Sequence, residues 1–126
     1  MAQNSSISHQ IDNILTTYER EVYRAMDEEI EAEAKETAKR LKSSSPKRRK
    51  YSRGYARSWG VVKRGNAYVV RNAKHYRLTH LLENGHVVRN GVGTYGRARP
   101  IKHIAPAEEA AVMRLPLRIK ARLRML

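Results

Sequence analysis

The chain has 126 residues, with 26 Lys/Arg against 12 Asp/Glu, a net charge of +14, and neither Cys nor Phe. That length is one domain with a modest core; disulfides and thiolate chemistry are excluded, and no apolar run reaches the roughly 18 residues that a membrane span needs. The opening MAQNSSISHQ has no apolar core of the kind a secretory signal carries. The charge is segregated: residues 1–42 hold 6 Lys/Arg and 9 Asp/Glu, a net of −3, while residues 43–126 hold 20 and 3, a net of +17. An excess that concentrated points to a polyanion as partner rather than to a solubility face alone.

Residues 7–42 read as one long helix. Ile7, Ile11, Ile14, Leu15, Tyr18, Val22, Ala25, Met26, Ile30, Ala34, Ala38 and Leu41 recur in steps of mostly three and four, and no Gly or Pro occurs before Pro46. Such a helix is on the order of 50 Å long, more than a domain of this size can cover, so part of it projects or packs on a neighbouring subunit. The section Asp27–Glu36 holds six acids. Glu29, Glu31 and Glu33 are therefore candidates for contact with a basic patch of the next copy, the plainer alternative being a solvated face. Residues 43–54, SSSPKRRKYSRG, break the pattern and form a basic linker; Lys47, Arg48, Arg49 and Lys50 make it a flexible cationic arm.

Tyr55–Lys63 and Ala67–Ala73 alternate and are rich in β-formers, so they read as two antiparallel strands joined at Arg64-Gly65-Asn66. Trp59 is expected in the core, with base stacking as a lesser role. His75–Asn84 reads as a short helix stopped by Gly85. Residues 86–103, with Gly91, Gly93 and Gly96, form a long mobile basic loop carrying Arg89, Arg97, Arg99 and Lys102. Pro106 suits the first turn of a last helix, whose positive dipole end favours Glu108 and Glu109. Pro116 kinks or stops that helix. The tail LRIKARLRML fits a strand by its alternation and a kinked helix by Leu115, Ile119, Leu123 and Leu126. The fold class is α+β, in a single domain.

Chemistry is sparse. The five histidines lack the spacing of a helical zinc site. Outside the first helix the acids are only Glu83, Glu108 and Glu109, too few for a carboxylate-bound metal centre. The glycines of GVGTYG neither follow a strand nor open a helix, so they do not form a nucleotide-binding loop. No catalytic residue, cofactor or metal is expected. His80, His86 and His103 near the basic loop leave a general acid–base phosphodiesterase or toxin as a third reading. Arg and Lys interleaved with tyrosines leave non-specific nucleic-acid binding as the second.

Two motifs carry a resemblance. Leu81-Leu82-Glu83-Asn84-Gly85-His86, and Pro100-Ile101-Lys102-His103-Ile104-Ala105-Pro106-Ala107-Glu108 beyond the basic loop, resemble the small neck proteins of long-tailed bacteriophages, the head–tail joining or tail-completion proteins. Here Ile101 and Lys102 separate Pro100 from His103, which are adjacent in the family pattern. The resemblance spans roughly residues 7–115. It implies a structural virion protein, not an enzyme, assembled in the host cytoplasm and placed in the neck. The implied form is a homo-oligomeric ring, six-fold with twelve-fold as the alternative. Its implied partners are the head-closure or connector protein, the tail terminator or tail tube protein, and the double-stranded DNA passing through, with no membrane.

Overall fold

The structure is a computed structural model that describes the backbone of residues 2–47, 50–89 and 94–126 and the side chains of residues 6–47, 54–85 and 99–126. It is an α+β assembly of four helices and two antiparallel hairpins among the described residues.

Helix α1 runs from Ala2 to Ser44, 43 residues, and is about 65 Å long at 1.5 Å per residue. It therefore exceeds the expected 7–42 at both ends. Its C-terminus is set locally. Pro46 disfavours a helical residue before it, and Ser45 closes the last turn by donating its backbone N–H (2.9 Å) and its hydroxyl to the Leu41 carbonyl. The Lys47 Nζ donates to the Ser43 carbonyl at 2.7 Å, a cation at the negative end of the helix dipole.

The expected linker 43–54 is largely helical. Ser43 and Ser44 belong to α1, and α2 spans Lys50–Arg57. Tyr55 thus lies in a helix, not at the start of a strand. The alternation of Tyr55, Arg57 and Trp59 crosses the end of α2, and only Trp59 is in a strand; the adjacent Tyr55 and Ala56 are both buried, which a strand with one covered face does not allow. Strand β1 (Trp59–Arg64) pairs with β2 (Ala67–Asn72), Arg64 facing Ala67 and Trp59 facing Asn72. The two-residue turn needs a positive φ at its first position, and Gly65 supplies it at 60°.

A 3-10 turn, Tyr76–Leu78, leads into α3 (Thr79–Asn84), and Gly85 ends it with φ 76°, the positive-φ glycine stop expected there. Residues 86–103, read as one irregular mobile loop, hold two paired strands among the described residues, while residues 99–103 are irregular as expected. Strands β3 (His86–Arg89) and β4 (Thr94–Ala98) pair His86 with Ala98 and Val87 with Arg97, with an irregularity before the Arg89–Thr94 pair. The glycines masked two short runs, HVVR and TYGRA, whose Val, Thr and Tyr favour extended backbone.

Helix α4 runs from Ile104 to Leu123 straight through Pro116, so the tail is helix rather than strand and Pro116 does not stop it. The proline removes one bond to the Val112 carbonyl, but Val112 is exposed and water can take that carbonyl. Helices α1 and α4 pack antiparallel: Ala107 joins Leu41, Tyr55 and Trp59 in the core, while Arg122 reaches Glu28 and Glu29. Val70, Leu78, Leu82 and Ile104 pack around that core. It sits beside the last turns of α1, and from Ser6 to Glu21 every residue of the helix is exposed.

Candidate functional site

The two sequence motifs converge at the start of α4. An α-helix leaves its first four N–H groups without intrahelical partners. Here the Glu83 carboxylate, arriving from α3, takes three of them: Oε1 accepts from His103 N (2.8 Å) and Ile104 N (2.9 Å), and Oε2 from Ala105 N (3.1 Å). The fourth position is Pro106, which has no N–H, and the next residue begins the ladder, Ala107 N to His103 O at 3.4 Å. Every orphan donor is thus satisfied or missing by design of the sequence. The first turn of α4 carries no acid of its own; Glu108 is exposed and farther along. The partner of the dipole is Glu83 rather than the expected Glu108 and Glu109, a contact across some twenty residues that no local pattern displays. Burial pushes the Glu83 carboxyl up, but the three N–H donors and the His103 ring outweigh it and hold the group below the usual carboxylate range.

His103 is the keystone residue of this junction, and it is buried. Its Nδ1 lies 2.8 Å from the Ile101 carbonyl and 3.0 Å from Glu83 Oε1, and its Nε2 lies 2.6 Å from the Tyr55 hydroxyl. Two acceptors around Nδ1 place a proton there, so Nε2 accepts from Tyr55 in the neutral ring. Burial first, and Glu83 second, push the Tyr55 hydroxyl up, which keeps it a donor. The ring also packs edge-on against Tyr55 and Trp59, with centroids 5.5 and 6.3 Å apart. Trp59 Nε1 donates to Ser45 Oγ at 2.8 Å, and Asn72 Nδ2 to the Tyr55 carbonyl at 2.6 Å. Trp59 is therefore a core residue with its N–H satisfied, not a base-stacking platform. His103 is 1% exposed and both ring nitrogens are engaged within the core; His80 is exposed, and the His86 side chain lies outside the described residues.

The acidic section of α1 is met within the chain. Arg122 donates to Glu28 Oε2 (2.7 Å) and Glu29 Oε2 (3.0 Å), and Arg118 Nε stands 3.7 Å from Glu29 and 3.6 Å from Glu33. Glu31 pairs with Lys35 at 3.0 Å. Glu29, Glu31 and Glu33, expected to meet a basic patch of a second copy, thus have cations of their own chain within 4 Å. Glu29/Glu33 and Arg118/Arg122 are both i, i+4 pairs, so antiparallel helices bring them into register; that matching spacing is the signal the sequence reading missed. Glu33 is buried, and neither oxygen accepts a hydrogen bond among the described residues. On the other flank the Tyr68 hydroxyl donates to Asp27 at 2.9 Å, which pushes it up to about 12.

The basic candidates are divided. Arg99 and Lys102 are exposed, and the Lys102 Nζ donates to Asn84 Oδ1 at 3.1 Å. Arg48 and Arg49 lie outside the described residues, as do the side chains of Lys50, Arg89 and Arg97. Lys47 joins Lys42 and Arg57 around Ala56 in a cavity of about 470 Å³. A second cavity, of about 290 Å³, lies between the end of α1 (Arg40, Ser43, Ser44) and the start of α4, with Lys102 and His103 among its lining. Lys42, Arg40 and Arg57 were not singled out by sequence; Lys42 and Arg57 meet because α2 lies beside the end of α1, and Arg40 comes near Lys102 because the start of α4 does. Among the described residues no group of His, Asp or Glu could hold a metal ion, and no helix is long and apolar enough to cross a membrane.

Comparison with known protein families, with curated proteins and with solved structures finds no match to this chain.

Proposed function

We propose that the protein is a structural component of a bacteriophage neck, joining the DNA-filled head connector to the tail as a ring around the DNA channel. The observation that carries this reading is the union of the two motifs on which the resemblance rests: Glu83 of the first caps the helix that the second begins, and His103 ties the cap to Tyr55. They form one structural joint, as motifs of an assembly protein would. A ring of identical subunits, hexameric or dodecameric, is supported by the division of the molecule into a packed body and a long exposed helical arm, since a heterologous contact gives such an arm a place to dock. The basic cavities around Lys42, Lys47 and Arg57 and around Arg40 and Lys102 suit passage of a polyanion. Electron microscopy of particles from a phage lacking this gene is the test. Filled heads beside complete, unattached tails are the expected result; normal infectious particles would overturn the proposal.

The same cavities favour one second reading, a non-specific nucleic-acid-binding protein. That protein would bind duplex DNA on its own, with affinity falling log-linearly in salt, and Lys47→Glu with Arg57→Glu would flatten the slope.

A further inference from the structure

We infer that the projecting part of α1 docks onto the outer flank of α4 of a second copy of this chain. This deepens the ring reading and rests on it for closure of the ring, not for the contact itself.

On the arm, Ile7, Ile11, Ile14, Leu15 and Tyr18 are 50–67% exposed, and they lie on one face of the helix. The stripe leads into Ala25, which shares its face and is buried against the body. Its charges are segregated as well. Asp12 and Glu19 fall along one edge of the stripe and Glu21 along the other, beside Ile14 and Tyr18, while Arg20 and Arg24 fall on the reverse of the helix.

The complementary surface is on α4. Leu115, Pro116, Ile119 and Leu123 line an apolar groove of about 620 Å³ whose rim is Lys120 and Arg124. Met113 and Leu117, 73% and 67% exposed, widen the apolar area beside it. The inner face of α4 uses Arg118 and Arg122 on the acids of its own α1. Lys120 and Arg124 make no ion pair among the described residues, and neither do Asp12, Glu19 and Glu21. One copy therefore presents an acid-rimmed apolar ridge and an apolar groove with a basic rim. The two surfaces differ, so a contact made head-to-tail is heterologous and leaves each copy one of each free for the next.

The occupant is a second copy rather than the protein's own arm, because α1 is one unbroken helix and cannot fold back on itself. Pairing of two arms with each other would set Glu21 against Glu21 or leave the groove of α4 empty; a heterologous contact does neither.

Two full-length variants test it. Ile11→Gln/Ile14→Gln/Tyr18→Gln removes the ridge and keeps the groove; Lys120→Glu/Arg124→Glu reverses the rim and keeps the ridge. All five positions are exposed, so helical circular dichroism and a cooperative urea transition in each variant confirm folding, with the wild-type midpoint higher to the extent that association stabilises it. Mass is then read by sedimentation in about 0.15 M salt, where exposed charges are screened beyond roughly 8 Å. The expected result is a multimeric wild type, each variant as a single protomer, and a one-to-one mixture of the two variants as a dimer. A rim variant that still self-associates overturns the groove in favour of arm–arm pairing. A ridge variant that still self-associates, or a wild type that stays a single protomer, overturns the contact altogether. A wild type that grows as open chains instead of a closed species supports the contact while counting against the ring, and the phage experiment reads the neck role separately.

Discussion

Replacing Glu83 by alanine removes the acceptor of three backbone N–H groups at the start of α4 and the negative charge beside its positive dipole end. A hydrogen bond to a charged acceptor contributes about 1.5–3 kcal/mol net. The three donors are not equally exposed: Ala105 is open to water, Ile104 is half-buried and His103 is sealed. Water replaces the carboxylate at the first, partly at the second and not at the third. The expected loss is about 3 kcal/mol, near one strong cap plus one buried orphan donor. For a chain of this length that is roughly 10 °C in Tm. Glu83→Gln keeps the shape and one acceptor oxygen but places an NH2 against backbone donors, so it costs about 1–2 kcal/mol. The pH dependence has a definite sign. Because the folded-state pKa of Glu83 is depressed, its contribution is full above the unfolded value of about 4.3 and is lost as pH falls through the folded one. The gap between wild type and Glu83→Gln therefore holds at neutral pH and narrows in acid below about pH 4.3. Urea unfolding followed by circular dichroism between neutral and acid pH measures both. A Glu83→Ala protein within about 0.5 kcal/mol of wild type would refute the cap, because that is the range of an inconsequential surface change.

Tyr55→Phe leaves the buried Nε2 of His103 without its donor and is expected to cost about 1–3 kcal/mol in the same assay; an unchanged midpoint would mean that the ring satisfies itself elsewhere. Arg118→Ala strips the buried Glu33 of its nearest cation, with an expected loss of about 2–3 kcal/mol, under the full value for a buried pair because Arg118 is one-third exposed; recovery in the double variant with Glu33→Gln is the check. Gly65→Ala meets open space but keeps a φ of 60°, so its cost of about 1 kcal/mol is backbone strain alone, and Gly65→Asn should regain part of it.

The elements with one dominant pattern were legible. The long helix follows from unbroken three–four spacing, the first hairpin from β-branched alternation around Gly65, and the end of α3 from Gly85. What was misread had two patterns at once or depended on distant partners. Tyr55 fits a strand by alternation, but Tyr55 and its neighbour Ala56 are both buried at the end of α2. The glycines of residues 86–103 argue for a loop, while the short runs around them pair as β3 and β4. Of the acidic section, only the Glu31–Lys35 pair was legible locally; the arginines that meet Glu28 and Glu29 arrive from α4, some ninety residues on. The motif residues Glu83 and His103 were legible as landmarks, but their mutual contact was not, since a capping partner is normally sought three residues away and not twenty.

The exposed arm carries a dynamic consequence of its own. A helix of about 16 residues alone in water is marginal, because nucleation is unfavourable. The arm avoids that step: it elongates from turns that Leu41, Ala38 and Ala25 already hold against the body. Each turn added away from the body gains backbone hydrogen bonds but buries almost nothing, so its stability must decline toward the N-terminus. Hydrogen exchange on the free protein should therefore show strong protection from Ala25 to Leu41 and protection that decays from Glu21 to Ile7. In assembled protein, docking on α4 would raise protection along Ile11–Tyr18 and leave Ala25–Leu41 unchanged. Protection that is uniform along all of α1 in the isolated protomer would contradict this reasoning, since it would require the arm to draw stability from something other than the body and a neighbour.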